Sequence, residues 1–199
     1  MRSARWRMVA LSVAALTACS SDESAPTEPR LPEAPSLSKN AGAKKISARG
    51  RGVVDLSTAG VGDAHFSFHA SVKPNGKVEG RFRQRRERNG LVIDFSGKVT
   101  CLTVDAALGR ARIAGVITEN NSTDPAFMTE NHQVGDDVWF RVQDSDVGGG
   151  AVEASTTYGF KPTLVNTSAE YCALPFTGLP AWNPATTFPL KSGKIKVDP

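Results

Sequence analysis

From residue 63 to residue 98, apolar and polar side chains alternate almost without a break. Ala64, Phe66, Phe68 and Ala70 share one phase, while His65, Ser67 and His69 occupy the other. A period of two marks a half-buried strand, because successive side chains of an extended chain point to opposite faces. No long stretch keeps a helical period. Segments rich in valine, threonine and phenylalanine, punctuated by Gly, Asn, Asp and Pro, predict strands at 46–56, 63–73, 77–87, 90–98, 99–106, 110–118, 137–144, 151–160 and 186–197. Residues 119–135 and 161–185 carry no pattern that assigns them. The expected fold class is all-β, a mostly antiparallel meander closing into a small barrel or a sandwich.

Two turns set the register in the middle of this pattern. Lys73-Pro74-Asn75-Gly76-Lys77 fits a three-residue hairpin loop, with a type I turn at Pro74 and Asn75 and a left-handed Gly76. It pairs Val72 with Val78 and Phe68 with Phe82. Arg88-Asn89-Gly90-Leu91 fits a two-residue turn that pairs Phe82 with Gly97, Gln84 with Phe95 and Arg86 with Ile93. One face then collects Phe66, Phe68, Val72, Val78, Phe82, Ile93 and Phe95, and a slip of one residue would scatter them.

The other face reads in rungs: His65, Arg85 and Asp94; Ser67, Arg83 and Ser96; His69, Arg81 and Lys98; Ser71 and Glu79. Arg85 opposite Asp94 is expected to form a cross-strand ion pair. The run RFRQRRERNG, with five arginines in ten positions, is thus mostly the polar face of a hairpin. Arg81, Arg83 and Arg85 project from that face, and Arg86 and Arg88 lie at its tip. A solvated strand face is the simple account. The sharper one is a shallow site for phosphate, sulfate or an acidic sugar, built by Arg81, Arg83 and Arg85 with His65 and His69, because guanidinium forks pair well with such groups.

The start of the chain bears on which partners are available. Arg2, Arg5 and Arg7 precede an apolar run from Met8 to Ala18, too short to span a bilayer but suited to a secretory signal. The run ends in Leu16-Thr17-Ala18-Cys19, which resembles the lipobox of bacterial lipoproteins. The resemblance implies a signal peptide at 1–18, cleavage before Cys19, and fatty acylation of its thiol and new amine, an anchor firm enough to hold the protein on a membrane. It implies an extracytoplasmic protein, on the outer membrane if the bacterium is Gram-negative, since Ser20 rather than Asp follows the cysteine. Loss of the three leading arginines lowers the net charge from +4 to +1. With so small a net charge and an extracytoplasmic location, no nucleic-acid partner is expected. Residues 19–45 then form a lipidated, disordered stalk with Pro26, Pro29, Pro32 and Pro35 at every third position, the period of polyproline II. Residues 46–199 form a single β-domain.

Once Cys19 is lipidated, Cys101 and Cys172 remain, an even pair expected to form a disulfide in an oxidising compartment. Asp144 and Asp146, two residues apart before three glycines and near Glu153, are a weak calcium pattern. His65 and His69 share a strand face, but their arginine neighbours disfavour a metal, and His132 lies in a separate loop. No cofactor is expected. Nucleophile-elbow, zinc-protease, phosphate-loop and dinucleotide motifs are missing from the sequence, so the protein is not expected to be an enzyme. The stretch from about residue 60 to 118, with SGKVTCLTV followed by ARIAGVIT, is similar to uncharacterised secreted bacterial β-domains, a resemblance that brings no activity with it. The leading expectation is a membrane-anchored envelope module that binds an anionic envelope component or a small ligand, or serves a structural role. The alternatives are a ligand carrier with an aromatic-lined barrel pocket and, more remotely, a hydrolase using His65 and Asp94 with Ser67 or Ser96.

Overall fold

The computed structural model describes residues 45–59, 62–129, 132–147, 153–155, 165–179 and 181–198. All belong to the compact unit Gly42–Pro199. The expected signal peptide, Cys19 and the stalk as far as residue 44 lie outside the described residues. Eight antiparallel strands form a closed barrel in chain order: β1 (Ser47–Asp55), β2 (Asp63–Val72), β3 (Val78–Arg88), β4 (Leu91–Asp105), β5 (Arg110–Asn120), β6 (Asp137–Gln143), β7 (Ala154–Ser155) and β8 (Phe188–Asp198). β8 returns to pair with β1, which decides for a barrel over a sandwich.

The predicted register holds pair by pair. Val72 faces Val78, Phe68 faces Phe82, Phe82 faces Gly97, Gln84 faces Phe95 and Arg86 faces Ile93. Gly76 is left-handed at φ 79°, and its N–H donates to the Lys73 carbonyl at 2.9 Å. Asn89 and Gly90 have φ of 52° and 76°, the paired left-handed residues that a two-residue hairpin turn requires.

One expectation is corrected. The segments 90–98 and 99–106 are a single strand, β4. The break in alternation that separated them is a pair of register shifts against β5, at Ser96/Gly97 and Val99/Cys101. An extra residue in one strand moves every later side chain to the other face. Ile93, Phe95 and Val99 therefore point inward, and beyond the second shift Leu102 and Val104 take over that role. Cys101 is turned to the outer wall. Of the strand expected at 151–160, only Ala154 and Ser155 fall within the described strands. The unassigned regions contain two short helices, α1 (Pro125–Thr129) and α2 (Ser168–Ala173), and a 3-10 turn at Pro184–Thr186.

The barrel interior is filled. Phe66, Phe68, Phe82, Phe95 and Phe140 are each at most 5% exposed. The Phe68 and Phe140 rings meet edge to face at 5.3 Å, and Phe82 and Phe140 at 6.3 Å. Small residues opposite the rings make room: a Cβ on Gly50 would lie 2.6 Å from the Phe68 ring, and one on Gly97 would collide with the Phe82 ring. Each buried large apolar side chain contributes about 1.5–3 kcal/mol, so these rings supply much of what holds the meander closed. The arrangement, apolar inside with outward charge on β1–β3, is the reverse of a barrel that crosses lipid.

A second, smaller core lies on the outer wall of β4–β6, beneath α2. It gathers Ala114, Trp139, Val165, Tyr171 and Cys172, with Cys101 and Leu174 against it. Cys101 and Cys172 are joined as a disulfide with Cα atoms 6.3 Å apart, so the bulge in β4 is what presents Cys101 to the helix.

Candidate anion-binding face

The rungs expected on the outer side of β2–β4 are present as predicted: His65–Arg85–Asp94, Ser67–Arg83–Ser96, His69–Arg81–Lys98 and Ser71–Glu79. Closure of the barrel extends two of them. Arg49 of β1 pairs with His69 on one side and with Lys196 of β8 on the other. Arg51 likewise pairs with Ser67 and with Lys194. The outer wall thus carries one row of Lys196, Arg49, His69, Arg81 and Lys98, and beside it a second of Lys194, Arg51, Ser67, Arg83 and Ser96. All of these but Lys98 line a single groove of about 720 Å³ that reaches from β8 to β4.

Arg49, Arg51, Lys194 and Lys196 were not among the sequence-predicted site residues. The signal for them was present in the alternating R-G-R-G of β1 and K-I-K-V of β8. Only the contact between the first and last strands joins them to Arg81 and Arg83.

The charges of this face divide into satisfied and unsatisfied ones. Asp94, 11% exposed, takes a bidentate grip from Arg83, with Nε to Oδ1 at 3.0 Å and Nη2 to Oδ2 at 2.7 Å. The expected partner Arg85, directly across the ladder, stays at 3.9 Å. The predicted pair is thus present, and Arg83 adds a closer one: a long guanidinium reaches the diagonal neighbour and finds better two-point geometry there. The Asp94 carboxylate also holds the Arg83 guanidinium more firmly protonated than usual. Arg49 pairs with Asp198 at 2.9 Å, Lys194 with Asp146 at 3.0 Å and Lys196 with Asp144 at 3.7 Å. Among the described residues, Arg51, Arg81 and Lys98 have no carboxylate partner within 4.0 Å. Arg51 and Arg81 give the groove its uncompensated positive charge, and Lys98 extends it at the end of the first row, beside Arg81.

The acidic loop is explained by the same closure. Asp144, Asp146 and Glu153 bring carboxylate oxygens within 4.8 Å of one another. Asp144, wholly buried, accepts from the N–H groups of Asp146 and Val197, and Glu153 accepts from that of Ile195. Their positive complement comes from within the chain, through Lys194 and Lys196. The loop locks β8 in place.

The residues named for a hydrolase also share a place. His65, Ser67 and Asp94 line one shallow depression with Arg83 and Arg85. Asp94 is engaged by arginines, however, and among the described residues no hydrogen bond links His65 to Asp94 or to Ser67. A triad needs the base oriented by its carboxylate. His132 lies elsewhere, stacked between Phe95 at 4.7 Å and Phe127 at 4.9 Å.

No family model matches the chain, and no curated protein or solved structure compared with it is similar at a significant level. The face must therefore be interpreted from its own chemistry.

Proposed function

We propose that the protein is a lipid-anchored, non-catalytic module of the bacterial cell envelope that binds an anionic component of that envelope through the outer face of β8–β1–β2–β3–β4. The observation that carries this reading is the pair of cationic rows along one groove, with Arg51 and Arg81 in the groove and Lys98 beyond its end unneutralised among the described residues. Guanidinium and ammonium groups that a fold leaves unpaired at close spacing repel one another, and an anion that binds between them relieves that repulsion. The anchor at Cys19 and the proline-rich stalk then hold the barrel near the surface whose components it meets.

The filled interior counts against a carrier, because Phe66, Phe68, Phe82 and Phe95 pack on one another and on glycines rather than around a ligand space. The test is thermal unfolding of the protein in phosphate and in sulfate, with chloride of equal ionic strength as the control. The expected result is a rise in melting temperature that disappears in Arg51→Gln/Arg81→Gln. An equal response of the wild type and the double variant would sink the proposal.

A further inference from the structure

We infer that the partner of this face is a linear polymer bearing phosphate or carboxylate groups at intervals, lying across the strands from β8 to β4, rather than a small free anion. This inference rests on the reading of the face as an anion-binding surface.

The placement of the charges argues for it. A site for one small anion gathers several donors around a single point and shields them from water. Here the free cations are spread over separate strands: Arg51 on β1, Arg81 on β3 and Lys98 on β4. The row Lys196, Arg49, His69, Arg81 and Lys98 advances one strand at a time. At ~4.8 Å between neighbouring strands it covers roughly 19 Å, a length that suits a chain of charges. While Arg83 and Lys196 stay on the buried Asp94 and Asp144, Arg49 and Lys194 are held by Asp198 and Asp146 at exposed positions, with side chains 62% and 65% exposed. Such pairs are weak and exchange readily, so a polyanion can displace them in turn where a single phosphate gains little.

The face also limits what kind of polymer fits. The outward positions of the two rows are Lys, Arg, His and Ser, with no Phe, Tyr or Trp. Single-stranded nucleic acid is held by stacking its bases on aromatic side chains, and the two rings that border the groove, Phe68 and Phe82, are only 5% and 2% exposed, too little for a base to stack on. Its recognition is by charge spacing along the polymer backbone.

The experiment measures binding of the full-length protein, in a neutral detergent, to inorganic phosphate, to sodium polyphosphate of increasing length and to polygalacturonate oligomers, with single-stranded and duplex DNA in parallel. Affinity is expected to climb with polymer length until the chain spans the ~19 Å row, ending at least about 100-fold tighter than inorganic phosphate, as linked contacts predict. Arg81→Gln/Lys98→Gln is expected to return the long polymers close to the phosphate level, whereas Arg86→Gln/Arg88→Gln, off the rows, leaves them unchanged. Circular dichroism of each variant separates lost binding from lost folding. Affinity that is the same for phosphate and for every polymer overturns the polymer but leaves the anion-binding face standing. No binding to any probe overturns both. Tighter binding to DNA than to polyphosphate of equal charge replaces the polymer class proposed here.

Discussion

The barrel carries two sets of outward-pointing arginines, and they have opposite fates. On β1 and β3, Arg49, Arg51, Arg81, Arg83 and Arg85 stand in solvent. On β5 and β6, Arg112 and Arg141 point outward in the same way and are wholly buried. The difference is the cover. The described residues between α2 and β8 cross the outer wall of β5 and β6 with one 3-10 turn, at Pro184–Thr186, and no strand, so their carbonyl groups lack ladder partners. Arg112 donates to the carbonyls of Leu174, Pro175 and Ala181, and Arg141 to the Asn183 carbonyl and the hydroxyls of Thr186 and Thr187. The planar fork of several N–H donors is suited to this task. Trp182 lies over both guanidiniums, at 5.6 and 5.3 Å, and over that of Arg110 at 4.4 Å. Burial pushes the Arg112 guanidinium below its ordinary value and that of Arg141 down to about 10. One residue type on one wall thus serves as a fastener where a loop covers it and stands in solvent where none does.

The largest effect that would test this contrast is on the covered side. Replacing Cys101 and Cys172 by serine is expected to cost about 4 kcal/mol on the chain-entropy estimate for a separation of 71 residues, read by denaturant unfolding. A loss below about 1 kcal/mol would mean that the arginines hold the segment without covalent help. Arg112→Met comes next, at about 3 kcal/mol, because it keeps bulk but takes the donor from three carbonyls, one of them, that of Ala181, in a buried bond. A neutral result would refute its role as a fastener.

The third test is spectroscopic. Tyr171 is buried against Arg112, and its phenol is pushed up to about 12, burial outweighing the nearby positive charge. Because the folded value lies above the ordinary 10.0, the stability that the neutral phenol confers is complete below about pH 10 and is lost as the pH climbs toward 12. An ultraviolet titration should reveal a tyrosine step near pH 12 that is missing in Tyr171→Phe; an unchanged profile would contradict this.

On the open side the effects on stability are small and those on binding are not. Arg81→Gln should change unfolding by less than about 0.5 kcal/mol, as exposed substitutions do, yet remove most of the anion response. Asp94→Asn should act in the opposite direction. Replacing the 11%-exposed Asp94 removes a negative charge that holds Arg83 and Arg85, and anion affinity should rise by about a few-fold. Weaker binding by this variant would show that Asp94 positions Arg83 rather than masking it.

Much of the β2–β4 meander was legible in the sequence because its determinants are local. Asn89-Gly90 and Pro74-Asn75-Gly76 fix the turns, the period of two fixes the faces, and the pairing of Phe68 with Phe82 follows by counting. The single strand β4 was not legible, because a bulge looks in sequence like a break between strands. The full width of the basic face was not legible either. Arg49 meets Asp198 across 149 residues, and no local rule brings β1 to β8. The ladder pair of Asp94 with Arg85 followed by counting, but the closer, two-point grip of Arg83 depends on a diagonal reach that strand counting does not supply.

By itself the sequence determined the class of the fold, the register of its central strands and the side of the sheet on which Arg81, Arg83 and Arg85 stand, since each follows from alternation or turn chemistry. Tertiary structure alone decided which arginines are buried, which cations share a groove, and which of them are left without a carboxylate among the described residues. Those outcomes depend on closure between chain ends and on where a loop of unpaired carbonyls comes to rest, and both are long-range contacts.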